Sequence, residues 1–325
     1  MKKIIYIEKE IINFKRTRLI LNKFKNPEIV VIDRYSEVFN KKNQSFRKQK
    51  PNPAIILARK YKNFILNTPD NYGIGNLYNY YFSYMYNCIF DCKYCFLQGL
   101  YSSANHVIFI NYEDFIKEIF NLSRNHIDKN ITLFSGYDCD SLAYEPISGF
   151  MNFLIKYMDS FKNIDLEIRT KSTYIEPFIG KPKKNIIIAY SFTPDSFSNK
   201  YEIGVPKVNK RIASLVKLSE NGWKVGIRFD PIIVYDGWEK DYLDLFENIF
   251  KYINTKSIHS ISLGKLRLPV TIYKNIMKDN LSEKLFLNLE KKNNIYEHNI
   301  NTSVEEYCKD NLKKFINEKK IYFNN

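Results

Sequence analysis

Three of the chain's five cysteines lie close together, in a stretch with the spacing C-x3-C-x2-C. They are Cys88, Cys92 and Cys95, and no histidine lies between them. A structural zinc site normally takes four protein ligands. Disulfides are disfavoured by the odd number of cysteines and by the reducing interior of a cell. Three thiolates can instead hold three irons of a 4Fe–4S cluster and leave the fourth iron open to another ligand.

The cysteine motif leaves other interpretations open. The three thiols could belong to a zinc site with a distant fourth ligand, to a cluster that only transfers electrons, or to a group of buried free cysteines. Tyr94, Phe96 and Leu97 interleave the motif with apolar side chains, which would shield a cluster from water and help to set its potential. We favour a cluster with an open iron, because an open coordination position distinguishes a reactive metal centre from a structural one.

The composition is that of a folded globular protein. Of the 325 residues, 45% are hydrophobic, which is ample for a core. No apolar stretch approaches the length of a membrane-spanning helix, and Glu8 and Glu10 interrupt the N-terminal apolar run before it reaches signal-peptide length. These features predict a cytoplasmic protein without a membrane partner. The net charge of +15 favours a polyanionic partner, and a solvated basic surface explains it equally well.

From residue 80 onward, strand-like and helix-like segments alternate. The strand-like segments are "YYFSYMYN", "ITLFSG", "DLEIRTKS", "NIIIAYSF", "WKVGIRFDPII" and "SIHSISLG". The helix-like segments between them are "NYEDFIKEIFNLSR", "EPISGFMNFLIKYMDSF", "YIEPFIGK", "VNKRIASLVKLSENG" and "DYLDLFENIFKYI". This alternation predicts an α/β fold with a parallel sheet, and the number of repeats favours an incomplete barrel. The chemistry of such a barrel lies on the loops after the strands, where the cysteine loop, "SGYDCDS" and "RTKS" all occur.

The chain is predicted to contain three parts. Residues 1–79 form an N-terminal α/β subdomain, residues 80–270 form the barrel, and residues 271–325 form a C-terminal helical extension. In the last helix, Cys308 shares an apolar face with Val304. We therefore expect Cys308 to be a small core residue.

The cysteine motif, with an aromatic residue on each side of Cys95, resembles the signature of the radical S-adenosylmethionine enzymes. The wider sequence resembles one of their families, the spore photoproduct lyases. The strings that carry this resemblance are "CIFDCKYCFLQGLYSSANHVIFINYEDF", "DSLAYEPISG", "RTKS", "AYSFTPD" and "RIASLVKLSENGWKVGIRFDPIIVYDGWEKDY". The resemblance covers most of residues 1–270 and is densest from residue 80 to residue 245.

This resemblance implies a partial (β/α)6 barrel with a 4Fe–4S cluster near its mouth. The open iron would bind the amino and carboxylate groups of S-adenosylmethionine, and the reduced cluster would cleave it to a 5′-deoxyadenosyl radical. In the family's namesake the substrate is a thymine dimer in DNA, and the reaction reverses the crosslink. The implied partners are therefore DNA and a reductant such as flavodoxin or ferredoxin.

The resemblance also assigns roles to individual residues. Cys88, Cys92 and Cys95 match the cluster ligands. Tyr94 matches a tyrosine beside the cluster. Lys171, in "RTKS", matches a lysine that contacts the carboxylate of the cofactor, and a buried carboxylate needs such a cationic partner.

Three further residues are candidates for cofactor binding. Ser191, in "AYSF", matches a family serine that faces the cofactor. Asp140 and Ser141 lie in the loop after the second barrel strand, where such enzymes bind the amino group of the cofactor. This loop reads "FSGYDCDSL" and lacks the usual Gly-Gly-Glu string.

Two positions depart from the family's namesake. Phe96 stands where that lyase has a tyrosine that helps to return a hydrogen atom after repair, and phenylalanine has no O–H group. The hydrogen-donating cysteine of the namesake aligns near Tyr137, about two residues from Cys139. We expect Cys139 to donate hydrogen to a product radical, because its S–H bond is weak. A plain loop cysteine and a neighbour of the cofactor are the alternatives.

Two basic segments are candidates for binding DNA phosphates. Lys265 and Arg267 follow the last barrel strand, in "GKLRLP", and residues 41–50 read "KKNQSFRKQK". Solvated loops are the alternative interpretation of both segments.

Three functions remain possible from the sequence. The first is a radical lyase that repairs DNA, as the family strings and the basic charge indicate. The second is a radical enzyme with another substrate, such as a modified nucleobase, a peptide or a small molecule, which the departures at Phe96 and Cys139 favour. The third is an iron–sulfur module that binds DNA without catalysis, which would not need Lys171 or Ser191.

Overall fold

The computed structural model describes residues 2–279, 284–286, 289–298 and 303–324. Its strands, in chain order, are β1 (Ile4–Glu8), β2 (Glu28–Ile32), β3 (Ile55–Ala58), β4 (Ile65–Asn67), β5 (Tyr78–Phe82), β6 (Met85–Tyr86), β7 (Asp91–Cys92), β8 (His106–Phe109), β9 (Ile131–Ser135), β10 (Ile164–Thr170), β11 (Ile186–Ser191), β12 (Glu202–Ile203), β13 (Lys224–Ile232), β14 (Ile258–Lys265), β15 (Arg267–Pro269), β16 (Leu289–Lys292), β17 (Ile295–His298) and β18 (Ile321–Phe323). Its α-helices are α1 (Lys15–Leu21), α2 (Phe46–Gln49), α3 (Leu97–Leu100), α4 (Tyr112–Asn125), α5 (Glu145–Ser148), α6 (Phe150–Ile155), α7 (Asp195–Tyr201), α8 (Val208–Glu220), α9 (Trp238–Phe250), α10 (Val270–Asp279) and α11 (Val304–Leu312).

The largest sheet is the predicted barrel. It runs in the order β18-β14-β13-β11-β10-β9-β5-β4. The strands β5, β9, β10, β11, β13 and β14 are parallel and follow one another along the chain with helices between them. At the edges, β4 joins β5 in the antiparallel direction and β18 joins β14 in parallel. Because β4 and β18 end the sheet on opposite sides, the barrel is partial, and the predicted fold class is confirmed.

The central strands are buried on both faces, as expected for a parallel sheet covered by helices. Every residue of β11 is buried. In α8, Val208, Ile212 and Leu215 are buried along one face, which is the spacing of an amphipathic helix. The chain leaves this helix through Gly222, whose φ of +82° lies in the left-handed region that favours glycine.

A second sheet has the order β2-β1-β3-β8-β6. Its first four strands are parallel, and β6 runs antiparallel to β8. Ile5, Ile7 and Leu57 from this sheet are fully buried in one core with the barrel. Strands from both sides of the boundary predicted after residue 79 therefore share one sheet, and the division into three domains stays a prediction.

The C-terminal part contains strands as well as the predicted helices. α10 and α11 are its helices, the strands β15, β17 and β16 form an antiparallel sheet, and β18 extends the barrel sheet. Cys308, in α11, is fully buried, as predicted for a core residue. In the part of the chain that the structure describes, no helix has both the length and the apolar character needed to cross a membrane.

The segment "EPISGFMNFLIKYMDSF", predicted as one helix, is divided into α5 and α6. Gly149 separates the two helices with a φ of +65°, in the left-handed region. The Glu145 carboxylate accepts hydrogen bonds from the backbone N–H groups of Met151 at 2.9 Å and Asn152 at 2.8 Å. Glu145 therefore caps the start of α6 from the start of α5.

This buried cap predicts a pH dependence of stability. Burial raises the pKa of Glu145 from 4.5 to about 7. A carboxyl group with a raised pKa stabilises the fold fully when pH lies below its unfolded pKa, and loses this contribution as pH rises through its folded pKa. The shift corresponds to roughly 3 kcal/mol. As pH rises from 5 to 8, the urea concentration at the unfolding midpoint of the wild type should therefore decrease relative to that of Glu145→Gln. The assignment would be contradicted if the urea midpoints of the wild type and of Glu145→Gln changed with pH in the same way. Glu220→Gln, a change at an exposed position, is the control and should follow the wild type.

Candidate active site

The loops after the barrel strands bring the predicted site residues to one edge of the sheet. The cysteine loop follows β5 and β6, residues 139–141 follow β9, Lys171 follows β10, and Ser191 ends β11. The carboxyl ends of parallel strands lie on the same side of a sheet, where enzymes of this architecture place their active sites. The predicted position of these segments at strand ends is confirmed.

Hydrogen bonds from neighbouring side chains fix the cysteine loop. Asn87, just before the first cysteine, has a φ of +66° and donates from its amide to two backbone carbonyls at 2.8 Å. Gln98, in α3, donates to the carbonyl of Cys92 at 2.6 Å. The short strand β7 pairs with β12, so that Cys92 lies opposite Glu202. The loop is therefore held from both its ends and its middle.

The three thiols of the motif are largely buried and close enough to one another to affect each other's pKa. Cys92 is buried, Cys88 and Cys95 are half-buried, and all three are free. Burial raises the pKa of each thiol above its ordinary value, and the two other thiols raise that of Cys92 further. Thiolates at these positions need positive partners, which bound iron supplies. The donor set therefore fits an iron–sulfur cluster.

Among the residues described above, no three His, Cys, Asp or Glu side chains are placed to ligate one ion. A 4Fe–4S cluster makes a different demand, because each cysteine binds a separate iron. Cys88, Cys92 and Cys95 supply the three thiols that such a cluster would need.

Glu202, which no motif of the sequence marks, is the centre of a buried ion network. Its carboxylate accepts hydrogen bonds from the Tyr94 hydroxyl and, at 2.7 Å each, from Arg211 and Ser198. The Lys171 ammonium lies 3.6 Å from the same carboxylate. Although burial opposes the charged form, Lys171 and Arg211 hold the pKa of Glu202 at about 2. Glu202 therefore stays ionised and holds its cationic neighbours in place.

Lys171 lies between this network and the cysteines. Its Nζ atom is 5.4 Å from the centre of the Tyr94 ring. Burial opposes the charge of this ammonium, but Glu202 and the Cys92 thiol outweigh burial and raise the pKa of Lys171. A protonated lysine beside the cysteine loop has the chemistry needed to bind a carboxylate, and its predicted contact with the cofactor stays a prediction.

Ser191 is linked to the same network through its backbone. Its carbonyl accepts a hydrogen bond from Arg211 at 2.8 Å, and its side chain is buried at the end of β11. The structure thus brings Ser191, Tyr94 and Lys171 together around the pair formed by Glu202 and Arg211. The predicted contact of Ser191 with the cofactor stays a prediction.

Asp140 and Ser141 organise the loop after β9. The Asp140 carboxylate accepts hydrogen bonds from the backbone N–H of Lys171 and the Thr170 hydroxyl, both at 2.6 Å. It also caps its own loop through the N–H groups of Leu142 and Ala143. Ser141 is fully buried, and its hydroxyl lies 2.7 Å from that of Ser135. Both side chains join the loop to β10 or β9, and their predicted role in cofactor binding stays a prediction.

Cys139 lies close to the cysteine motif. Its side chain is buried, and burial together with the nearby Cys88 thiol raises the pKa of Cys139 well above its ordinary value. Phe96 contacts Tyr137 with ring centres 5.7 Å apart, and Tyr137 stacks on Tyr81 at 4.2 Å. The two positions that depart from the family's namesake, Phe96 and Tyr137, are therefore in contact with each other.

The basic residues proposed for DNA have protein partners. Lys265 forms an ion pair with Glu297 at 2.9 Å, and Arg267 donates to the carbonyl of Asn324 at 2.8 Å. Both lie at the carboxyl end of β14 or just beyond it, and their contact with DNA stays a prediction.

In the other basic segment, residues 41–50, two side chains point to the cysteine loop. Arg47 donates to Asp91 at 2.8 and 3.0 Å. Lys50 donates to the carbonyls of Cys88 at 2.6 Å and Phe90 at 2.8 Å. The positive charge of this segment therefore serves in part to hold the loop.

Comparisons with known proteins agree with this architecture. The sequence model of the family "Spore photoproduct lyase" matches residues 1–323. The chain is 24% identical to spore photoproduct lyase of Clostridium acetobutylicum, covering 98% of this chain and 96% of that protein. It is 25% identical to radical SAM cyclopropyl synthase TigE of Paramaledivibacter caminithermalis, over 67% of this chain and 46% of that protein.

Solved structures show the same fold. A spore photoproduct lyase mutant with bound AdoMet and dinucleoside spore photoproduct superposes with a TM-score of 0.83, at 15% identity, and covers 100% of this chain and 98% of that one. The family match extends over nearly the whole chain and includes the cysteine loop, the barrel and the C-terminal part. The chain therefore belongs to the spore photoproduct lyase family, which confirms the resemblance seen in its sequence.

Proposed function

We propose that this chain is a radical S-adenosylmethionine lyase that holds a 4Fe–4S cluster and repairs a thymine dimer in DNA. The proposal rests chiefly on the placement of Cys88, Cys92 and Cys95 on one loop at the barrel's carboxyl edge, beside the half-buried Lys171. When bound, the cluster and S-adenosylmethionine would supply a 5′-deoxyadenosyl radical.

The chain's own residues would bind and orient the cofactor. The Lys171 ammonium is available for the cofactor's carboxylate, and Glu202 keeps that ammonium charged and in place. The buried Tyr94 donates its hydroxyl hydrogen to Glu202 Oε1, the oxygen that also faces Lys171. Tyr94 and the partly buried Phe96 also limit the access of water to the cysteines, which favours radical chemistry over side reactions.

Cys139 is the proposed source of the hydrogen atom that returns to the product. Its raised pKa keeps the thiol in the S–H form, which is the form that can give up a hydrogen atom. Phe96 cannot take part in this transfer, because it has no O–H group. The thiol alone would then serve this step.

A change at Cys139 should separate radical formation from repair. Cys139→Ala is expected to form 5′-deoxyadenosine at a rate near that of the wild type and to lose most of the repaired product. The two products can be measured in one reaction by liquid chromatography. Equal yields of repaired product from the variant and the wild type would contradict the assignment.

The proposed partners are DNA and an external reductant such as flavodoxin or ferredoxin. The net charge of +15 supports approach to DNA, and Lys265 and Arg267 lie at the carboxyl end of the barrel, where they would hold phosphates by exchanging their present partners. A cytoplasmic location is part of the same proposal.

The experiment is anaerobic. The purified protein is reconstituted with iron and sulfide, reduced with dithionite, given S-adenosylmethionine, and assayed for 5′-deoxyadenosine with and without ultraviolet-irradiated DNA. The proposal predicts formation that rises with irradiated DNA. An intact cluster that forms no 5′-deoxyadenosine would contradict the enzyme and favour a non-catalytic iron–sulfur module.

A second candidate is a radical enzyme with a different substrate. The contact between Phe96 and Tyr137 favours it, because the namesake's hydrogen-returning tyrosine is missing there. Similarity to a cyclopropyl synthase shows that relatives of this chain differ in their reactions. Formation of 5′-deoxyadenosine that irradiated DNA does not change would support this candidate over DNA repair.

A further inference from the structure

Lys50 turns inward from the basic segment of residues 41–50 and ends at the cysteine loop. Its Nζ atom donates to the carbonyl of Cys88 at 2.6 Å and to that of Phe90 at 2.8 Å. Both carbonyls belong to the turn that carries the first cysteine of the motif. The side chain is half-buried, so its ammonium lies under the loop rather than in open solvent.

The fold fixes the position of this ammonium. Lys50 directly follows α2. In this helix Phe46 is buried, and the centre of its ring lies 5.6 Å from Lys50 Nζ. Arg47, in the same helix, binds Asp91 with two hydrogen bonds. Gln49 accepts hydrogen bonds from the segment after α3, including one from the backbone N–H of Ala104 at 2.9 Å. The helix is therefore attached both to the cysteine loop and to the segment after α3, which holds Lys50 in place.

The charge of Lys50 acts on all three thiols. Burial lowers the pKa of Lys50, and Cys88, Asp91, Cys95 and Cys92 act in the opposite direction. A 4Fe–4S cluster held by three thiolates gains one more negative charge on reduction. A fixed positive charge nearby stabilises the more negative state, and the effect is larger where water is excluded. The site thus contains a cation placed to favour the reduced cluster.

We propose that Lys50 raises the reduction potential of the cluster and so sets how easily an external low-potential reductant can deliver its electron. The inference rests on the proposed function, since it needs the cluster. The step is the transfer of one electron from the reductant to the cluster, with no bond made or broken by Lys50. Lys50 is a positioning and tuning residue that acts through the cluster.

The test is an anaerobic redox titration of the reconstituted protein, followed by visible absorbance and by the electron paramagnetic resonance signal of the reduced cluster. Lys50→Gln removes the charge and retains an N–H donor, Lys50→Met removes both, and Lys50→Arg keeps both. Lys48→Met, at an exposed position in the preceding helix α2, is the matched control. Iron content and absorbance of each variant show whether the cluster is assembled.

We expect Lys50→Gln and Lys50→Met each to lower the midpoint potential of the cluster, and by a similar amount. At a fixed potential, the ratio of reduced to oxidised cluster should fall about tenfold, which corresponds to about 59 mV for one electron. Lys50→Arg and Lys48→Met should stay at the wild-type value. A potential that falls in Lys50→Met but not in Lys50→Gln would overturn the charge-based inference in favour of the hydrogen bonds.

The redox titration gives different results if the role of Lys50 is wrong and if the proposed function is wrong. Unchanged potentials in both neutral variants, with a cluster present, would overturn the role of Lys50 and leave the radical enzyme standing. A wild-type protein that binds no cluster under reconstitution would overturn both.

Discussion

Replacement of Cys92 with alanine is expected to reduce 5′-deoxyadenosine formation to background and to prevent assembly of a complete cluster. Cys92 lies in the middle of the motif and is the most deeply buried of its three cysteines. Its electrostatic neighbours are Lys171, Glu202 and the other two thiols of the motif, so the change removes one of the three thiolates that would hold the cluster. Loss of one of three ligands leaves an iron without its protein donor.

Cys308→Ala is the matched control for this experiment. Cys308 is also buried, but it lies in α11, in the large hydrophobic core and not in the cluster of side chains that contains Cys92. The control should keep the cluster absorbance and the wild-type yield of 5′-deoxyadenosine, at some cost in thermal stability. A Cys92→Ala protein that retains both iron and product formation would contradict the ligand assignment.

Glu202→Gln is expected to weaken both the fold and the binding of S-adenosylmethionine. The change removes the negative charge that faces Lys171 and Arg211, and the Glu202 and Arg211 side chains are fully buried. Breaking a buried ion pair from one side typically costs about 3–5 kcal/mol, measured here as a lower urea midpoint. Because Lys171 and Tyr94 lose the anion that orients them, the KM for S-adenosylmethionine should rise ~10- to 100-fold.

The control for Glu202 is Glu220→Gln, an exposed change at the end of α8, the helix that carries Arg211. This variant should match the wild type in both measurements. If Glu202→Gln lowers stability but leaves the KM unchanged, the network supports the fold and has no role in cofactor binding. Wild-type behaviour in both would contradict the network itself.

The main architecture could be predicted because its signals are local and repeated. Each barrel strand and its helix show their own hydrophobic period, and the cysteine spacing carries its chemistry within eight residues of chain. The position of "RTKS" after β10 follows from the same alternation. These features need no knowledge of which distant segments meet.

The residues that sequence reasoning missed act across long separations. Glu202 meets Tyr94 across 108 positions of sequence, through the pairing of β12 with β7, and neither two-residue strand has a periodic pattern. Arg211 resembles any exposed arginine of an amphipathic helix until the fold buries it. No local signal distinguishes these side chains from solvated charges.

The sequence also does not show whether a charged side chain faces the solvent or another part of the protein. The segment of residues 41–50 suggested phosphate binding, yet Arg47 and Lys50 face the cysteine loop. In the same way, Gly149 divides a segment that looks like one helix, because its left-handed φ allows Glu145 to cap the next turn. Such features depend on side-chain contacts that composition and periodicity do not encode.

The proposed repair of a DNA lesion by this chain can be followed directly in a single reaction. The reconstituted and reduced protein is given S-adenosylmethionine and a dinucleoside spore photoproduct, and the lesion and its repaired form are quantified over time. We predict that the lesion disappears as the repaired thymine nucleosides form, and that neither occurs with Cys92→Ala. Persistence of the lesion, in a protein that cleaves S-adenosylmethionine, would contradict the proposed repair function.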